Sequence, residues 1–434
     1  MRNRYTNFGW LVTVIVGIIP ALLWFTATQM QWGSASQIFD NISRLAGLSG
    51  MALFAWNVIL SARLKIYNKL FMGLDNTYRA HHVIGSVAFI LLLIHPLAVT
   101  MSYFLVSPLS AYEFLLPNLS KPFLIIGWIT VFCMAFLMLV TLFIKVKYEL
   151  FVMAQRLLGL LLFVGSLHAV FIGSNDLGIN GGLVNLQAYI FVLIILAGVV
   201  YGYRSIYHGN FSKYYDYVLD DVISVGDVYE IRLSPSGNPM PYLPGQFAFI
   251  KIQATGVLGQ THPFSISSDT NVSQLSFGIK SLGDYTKLLA NAKKGIKIKI
   301  DGPYGTFSNK IVANHRQIWV ASGIGITPFL AMAKSLGGEQ NVDLYYSTKT
   351  TQEAVYLPFL INLANRKINL KIIPFNTSTQ GFLTADYIFN KSHQLSNANF
   401  MICGSPSMMA SLKLQLKNKG VIRKNINTEE FNLT

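Results

Sequence analysis

Two cysteines in 434 residues leave no room for a disulfide framework. Cys133 lies in an apolar run of the first half and Cys403 far downstream in the soluble half, so they are too differently placed to be partners. Charge is scarce too. Only 12% of residues are Asp, Glu, Lys or Arg, and 34 basic residues stand against 19 acidic ones. Residues 1–203 hold 11 Lys/Arg and 5 Asp/Glu; residues 204–434 hold the other 23 and 14. There is no arginine-rich arm and no aromatic-basic stripe, which excludes nucleic acid as the expected partner. The net +15 is accounted for by cytoplasmic loops and a soluble face beside anionic lipid. What abounds is hydrophobic sequence, 52% of the chain, concentrated in its first half. The length suits two or three domains.

Six apolar segments, near 9–30, 43–62, 80–104, 122–144, 151–173 and 186–203, reach the roughly 20 residues that a membrane helix needs. The first is too long, and too weakly followed by small residues, to be a removed signal peptide. Arg2 and Arg4, then Arg63, Lys65, Lys69 and Arg79, then Lys145, Lys147 and Arg156, then Arg204 and Lys213 fall at alternate ends of the segments. Loops 31–42, 105–121 and 174–185 hold only Lys121. Positive charge marks the cytoplasmic side. The sequence thus predicts a multi-pass cell-membrane protein with both termini and the soluble half in the cytoplasm.

Two histidines sit deep in apolar runs, His95 in the third segment and His168 in the fifth. An ionisable group inside a bilayer is costly and marks a functional position unless a neighbouring helix simply bonds it. Facing each other across a bundle, two imidazoles can hold a haem iron from both sides. His81 precedes His95 by 14 residues, which on an ideal helix is about −40° of rotation and about 21 Å of rise. The two share a face near opposite leaflets. Thirteen residues before His168 stands Gln155.

Beyond residue 215 the pattern changes to short strands, expected at 215–223, 227–233, 247–253, 274–279 and 296–300. They are punctuated by Pro244-Gly245-Gln246-Phe247, His262-Pro263-Phe264-Ser265, the run from Phe277 through Ile279, Lys280, Gly283 and Asp284 to Thr286, and Gly302-Pro-Tyr-Gly305. From Gln317 the pattern becomes apolar strand, glycine turn, helix, with further strands at 342–346, 369–373 and 399–402. Gly323-Ile-Gly325-Ile-Thr327-Pro328 is the sharpest motif, since glycines let a backbone approach a pyrophosphate that the next helix N-terminus favours. It is not GxGxxG. Strands alternating with helices imply a parallel sheet.

The membrane motifs His81-His82-x-x-Gly85, His95-Pro96 and Gln155-Arg156-Leu-Leu-Gly159 resemble the ferric reductase and NADPH oxidase family. The soluble motifs resemble the flavin and nicotinamide domains of ferredoxin-NADP reductase-like proteins. The resemblance spans about residues 43–434. It implies a six-helix haem-b membrane domain (1–205), an antiparallel β-barrel FAD domain (206–312) and an α/β NAD(P)H domain with a parallel sheet (313–434). It also implies two haems held by paired histidines. The outer pair, His95 with His168, is complete. The inner would be His81 with Gln155, and an amide is a poor ligand beside imidazole. Three readings stay open: an inner haem on one histidine, one recruiting His82, or none.

By the same resemblance, His262 to Ser265 line the flavin with Ser265 at the isoalloxazine edge, and Gln246, Ile279 and Lys280 contribute to the same site. Gly283, Asp284 and Thr286 open a helix that binds the FAD pyrophosphate. Gly323, Gly325, Thr327 and Pro328 take the nicotinamide dinucleotide, and Ser347 and Lys349 read the 2′-phosphate of NADPH. Cys403, Gly404 and Pro406 lie beside the nicotinamide, and Phe431 covers the flavin. The expected activity moves a hydride from NADPH to FAD and single electrons through haem b to an acceptor across the membrane. Loops 105–121 and 174–185 carry no His or Cys cluster for a metal chelate, which favours dioxygen and superoxide formation over a ferric or cupric chelate. A haem-anchored electron carrier serving a separate protein is the rival. A non-redox membrane protein with a nucleotide-sensing half is disfavoured by the flavin and nicotinamide motifs. No recruitment segment, calcium loop or proline-rich tail points to an obligatory activator.

Overall fold

The computed structural model describes every residue except 1, 28–31, 63–64, 72, 117–118, 145–147, 177–180, 205–213, 253–260, 282–283, 313 and 430–434. The chain divides near residue 211 into a helical unit and a strand-rich unit.

The helical unit holds α1 (Arg2–Ala27), α2 (Ala35–Leu60), α3 (Lys65–Phe71), α4 (Leu74–Val106), α5 (Pro108–Leu115), α6 (Pro122–Phe143), α7 (Tyr148–Asp176) and α8 (Gly181–Gly202). All but the short α3 and α5 are long and apolar enough to cross a membrane, so the six expected spans are present. The second begins eight residues earlier than its hydropathy suggests. Ser34 caps it through a capping box with Gln37, and polar residues are carried into its first turns. This helix is the most enclosed of the six, burying Ser43, Ala46, Gly50, Ala52 and Ala55. Small side chains of this kind let neighbouring backbones come close in a bundle. It packs against α7 and α8, while α6 packs against α7. The two short helices are invisible to a search for 20-residue apolar runs; α5 starts at a Ser107 cap followed by Pro108.

In the strand-rich unit, β1 (Tyr215–Val225), β2 (Val228–Pro235), β3 (Phe247–Ile252), β4 (Thr261–Ser265), β5 (Leu275–Lys280) and β6 (Lys297–Tyr304) form an antiparallel sheet of order β4-β3-β6-β1-β2-β5. Its two edges meet where Ile266 bridges Phe277, closing a barrel around Tyr217, Ile231, Ile250, Phe277 and Ile298. Strand β4 carries His262 to Ser265 and was not among the expected strands. Its proline and its brevity hide it, yet antiparallel pairing with β3 seats His262 opposite Ile250 and Ser265 opposite Phe247. The helix α9 (Asp284–Ala290) follows β5.

The second sheet is wholly parallel, β7 (Arg316–Ser322), β8 (Asn341–Thr348), β9 (Leu370–Asn376), β10 (Asn399–Cys403) and β11 (Ile426–Glu429), in the order β11-β10-β7-β8-β9. The helices of this part are α10 (Thr327–Lys334), α11 (Leu357–Ala364), α12 (Thr377–Gln380), α13 (Ala385–Lys391) and α14 (Pro406–Asn418). Strand β11 is the other element absent from the sequence reading, being only four residues long beside a polar tail. The central strands read as unbroken apolar runs because both faces are covered, with Trp319, Tyr345 and Phe400 fully buried.

Candidate cofactor sites

The helical unit brings His95 and His168 together. Their ring centroids lie 6.2 Å apart at 73°. Each imidazole is fixed from behind. Nδ1 of His95 is 3.0 Å from the Ser43 carbonyl, and Nδ1 of His168 is 2.8 Å from the Phe123 carbonyl. An Nδ1–H donated to a carbonyl leaves Nε2 as a bare lone pair, the arrangement that orients metal-bound histidines. Two glycines make room for these rings. A Cβ on Gly47 would stand 2.8 Å from Nδ1 of His95, and one on Gly127 would stand 2.5 Å from Nδ1 of His168. Sequence reasoning missed both, since a glycine in an apolar helix signals nothing until its neighbour is known.

The two imidazoles share a cavity also lined by Met51, Leu92, Phe114, Trp128, Val131 and Leu162 among others, with no charged residue among the described residues of its wall. A metal ion held by two imidazoles needs about 2.0 Å per bond and about 1.1 Å from each nitrogen to its ring centre, roughly 6.2 Å in all. The observed spacing fits, and the apolar wall suits a porphyrin. Nδ1 of His81 likewise sits 3.1 Å from the Asn57 carbonyl. The His82 ring is 6.2 Å from that of His81 and turned outward to the bundle surface. Gln155 is half-buried, and one residue on, the Arg156 carbonyl accepts from the Tyr201 hydroxyl at 3.0 Å. Among the described residues, no group of three or more His, Cys, Asp or Glu side chains could hold a metal.

In the barrel, Ser265 is buried and its hydroxyl has no hydrogen-bond partner among the described residues. The same holds for the hydroxyl of Tyr285 on α9. An unpartnered buried hydroxyl costs about 1–3 kcal/mol, so both are candidates to meet a ligand's polar atoms. The His262 ring lies 4.0 Å from that of Tyr285, and Phe264 is 6.3 Å from it at 17°, which makes an aromatic wall beside Ser265. Burial lowers the His262 pKa, so the ring is neutral at pH 7. These groups fit a flavin.

Three expected contributors are occupied otherwise. The Gln246 amide is spent on the Gly305 carbonyl, at 2.9 Å, and the Leu243 N–H, at 2.8 Å. Ile279 points into the barrel core, and Lys280 pairs with Asp227 at 3.0 Å. Gly283, the Asp284 side chain and Phe431 lie outside the described residues, and Thr286 stands on α9.

In the parallel sheet, the expected nucleotide motifs converge on one edge. Gly323 to Ile326 form a 3₁₀ turn at the end of β7, Ser347 ends β8, and Cys403 to Pro406 run from β10 into α14. The crevice outside the carboxyl ends of parallel strands is where such sheets bind ligands. Gly325 has a packing reason beside the one its motif suggests. A Cβ there would stand 2.4 Å from the Cys403 carbonyl oxygen, so the glycine lets two strand-end turns pack. Gly404 is packed similarly against Ser322. The Thr327 hydroxyl bonds the Ile324 carbonyl at 3.0 Å, and Pro328 opens α10. Ser347 is buried, whereas Lys349 is exposed and its N–H reaches the Glu353 carboxylate at 3.3 Å. Burial, then Glu429, raises the Cys403 thiol far above its usual range, so it stays protonated. The buried Glu429, opposite Cys403 on β11, is a second site candidate that sequence reading passed over.

The carboxyl end of α10 touches the flavin barrel. Lys334 Nζ donates to the Ser267 carbonyl at 2.8 Å, and the Ser335 hydroxyl donates to Asp269 at 3.0 Å. One rigid eight-residue helix thus joins the glycine turn to the segment following Ser265.

Comparison with known proteins agrees. Residues 46–166 match the ferric reductase like transmembrane component, 217–308 an FAD-binding domain and 319–413 an oxidoreductase NAD-binding domain. Flavohemoprotein A of Dictyostelium discoideum is 29% identical over 217 residues, 45% of this chain and 54% of that protein. Ferric reduction oxidase 8, mitochondrial, of Arabidopsis thaliana is 32% identical over 164 residues, 33% of this chain and 22% of that one. NADPH oxidase 1 of Mus musculus is 29% identical over 120 residues, 26% and 20% respectively. The matches thus span about half of the first relative and about a fifth of the other two. The chain thus carries, in this order, a ferric reductase-like transmembrane component, an FAD-binding domain and an oxidoreductase NAD-binding domain.

Proposed function

We propose that this protein passes electrons from NADPH through FAD to a haem b held by His95 and His168, and from there to dioxygen, yielding superoxide. The observation that carries the reading is the facing pair of imidazoles, each tethered through Nδ1, across an uncharged cavity. Haem, when bound, supplies a one-electron carrier; flavin, when bound, turns a hydride into single electrons. The chain's own work is placement. Ser265 offers its hydroxyl to the flavin edge, with His262, Phe264 and Tyr285 as the wall. The Gly323–Thr327 turn and the N-terminus of α10 receive the dinucleotide pyrophosphate. Cys403 stays a neutral thiol beside the nicotinamide position, and Lys349 is the cation for the 2′-phosphate. The inner position lacks a second imidazole, since Gln155 stands where the family pairs His81, so one haem per chain is proposed.

Dioxygen is favoured over a chelated metal because Phe114 and Trp128 wall the cavity and, among the described residues, no charged side chain lines it. A small neutral acceptor needs no ionic anchor; an anionic chelate does. The soluble half and both termini are proposed to be cytoplasmic on the distribution of Lys and Arg. Purified protein given NADPH should reduce cytochrome c in a superoxide dismutase-sensitive, catalase-insensitive way. Reduction of a ferric chelate under argon at a comparable rate, with no dismutase-sensitive signal in air, would replace this acceptor with metal.

A further inference from the structure

Trp128 stands on α6 next to Gly127, the residue that backs His168, and lines the same cavity as both imidazoles. Its indole packs between Phe114 of α5, 5.7 Å away, and Phe132, 5.8 Å away. The indole nitrogen is shut off from the surface and has no hydrogen-bond partner among the described residues. Other polar groups of this wall are already engaged. Thr130 donates to the Ile126 carbonyl at 2.8 Å, and the two histidines use Nδ1 on Phe123 and Ser43. A buried Trp N–H normally finds an acceptor, and one left orphaned costs about 1–3 kcal/mol. Here the acceptor has to come with the cavity's occupant. Haem carries two carboxylates, and this wall offers them no Lys or Arg.

We propose that the Trp128 indole N–H donates a hydrogen bond to an oxygen anion in the cavity, the carboxylate of the haem that His95 and His168 hold. The proposal rests on that haem reading. The same donor chemistry would serve an anion formed from dioxygen, and the test separates the two sources. Trp128→Phe in the full-length protein keeps an aromatic ring and removes only the donor. Under argon, a redox titration followed by the haem spectrum should give a midpoint potential below wild type at unchanged haem content. The uncompensated carboxylate then opposes addition of an electron. An unchanged potential with slower reoxidation of pre-reduced haem by dioxygen would assign the N–H to the dioxygen-derived anion. If neither changes, the proposal is overturned. Should the variant bind no haem, wild-type protein decides. The ultraviolet resonance Raman marker of indole hydrogen bonding should shift between haem-free and haem-loaded forms, and its constancy would overturn the proposal. Wild-type protein that binds no haem at all would instead defeat the reading of His95 and His168.

Discussion

At the scale of single residues, the glycines behind the two imidazoles make a sharper test of the haem site than the imidazoles alone. His95→Ala or His168→Ala removes a proposed ligand and should abolish low-spin haem. Gly127→Ala leaves both ligands in the chain but places a carbon 2.5 Å from Nδ1 of His168, where the Phe123 bond now holds the ring. Disturbing the tether of a metal-bound histidine lowers affinity by about 10–100-fold. Gly127→Ala should therefore bind haem weakly and regain it at high haem concentration, whereas His168→Ala should not. Pyridine haemochrome analysis across a haem titration reads the difference, and equal loss in both would speak against the tether.

A second residue-scale contest concerns the nucleotide. Lys349 and Glu353 face the same strand end with opposite charges. A cation there attracts a 2′-phosphate and a carboxylate repels one. Lys349→Ala should cost NADPH about tenfold in kcat/KM, the worth of one charged hydrogen bond of about 1.5 kcal/mol, and leave NADH nearly untouched. Glu353→Gln should shift the preference the other way. Steady-state kinetics with both nucleotides decides, and a parallel loss for both in Lys349→Ala would show that the ammonium reads no phosphate.

At the scale of elements, the 3₁₀ turn and α10 act as one rod. Its near end is held by Gly325 against the Cys403–Gly404 turn, and its far end by Lys334 on the flavin barrel. Gly325→Ala forces a carbon into the Cys403 carbonyl, an overpacking that costs about 1–3 kcal/mol. For a unit of this size that is a drop of roughly 2–12 °C in Tm, read from release of flavin fluorescence on heating. FAD release and nucleotide binding should both suffer, since the clash is structural as well as local to the pyrophosphate turn. Lys334→Met should act differently. It removes a charged hydrogen bond of about 1.5–3 kcal/mol between the nucleotide helix and the loop after Ser265. Anaerobic stopped-flow should find slower flavin reduction at saturating NADPH with KM little changed; a rise in KM alone would mean the latch only supports the nucleotide turn.

Elements also explain what the sequence could and could not disclose. Long apolar runs set all six spans because bilayer thickness demands length. The strands β7, β8 and β10 were equally plain as continuous apolar runs. Strands β4 and β11 were not, since a five-residue strand containing Pro263 and a four-residue edge strand are fixed by partners rather than by pattern. The motifs lie at the barrel and at the carboxyl ends of the parallel strands, but they do not disclose which side chains are already engaged within the fold. Ile279 and Gln246 look like motif members, and only the barrel register turns one inward and ties the other to Gly305. Gly325 looked like a ligand residue and is also a packing residue. Contacts between segments far apart in the chain, such as Gln246 with Gly305 and Gly325 with Cys403, leave no trace in either segment.

At the scale of the whole molecule, the question is how many one-electron carriers the membrane half holds. His81 is oriented as His95 is, with Nδ1 beside the Asn57 carbonyl as His95 has it beside Ser43. What is missing is a second imidazole, because Gln155 offers an amide. The positions His81 and Gln155 mirror His95 and His168 at nearly one spacing, 14 residues on α4 and 13 on α7. Two turns-matched helices would carry a second site if one atom set were changed. Gln155→His should therefore raise haem from about one to about two per FAD and add a second low-spin component to the spectrum. The wild-type ratio is the control that gives this meaning. If wild-type protein already binds two low-spin haems per FAD, Gln155 is no lesion, and the outward-facing His82 becomes the ligand to mutate. If Gln155→His gains no haem although it folds and retains the first, then the α4–α7 geometry near residue 155 excludes a porphyrin. Electrons would in that case cross from flavin to the His95–His168 site in one longer step, which should appear as haem reduction slower than flavin reduction in single-turnover measurements.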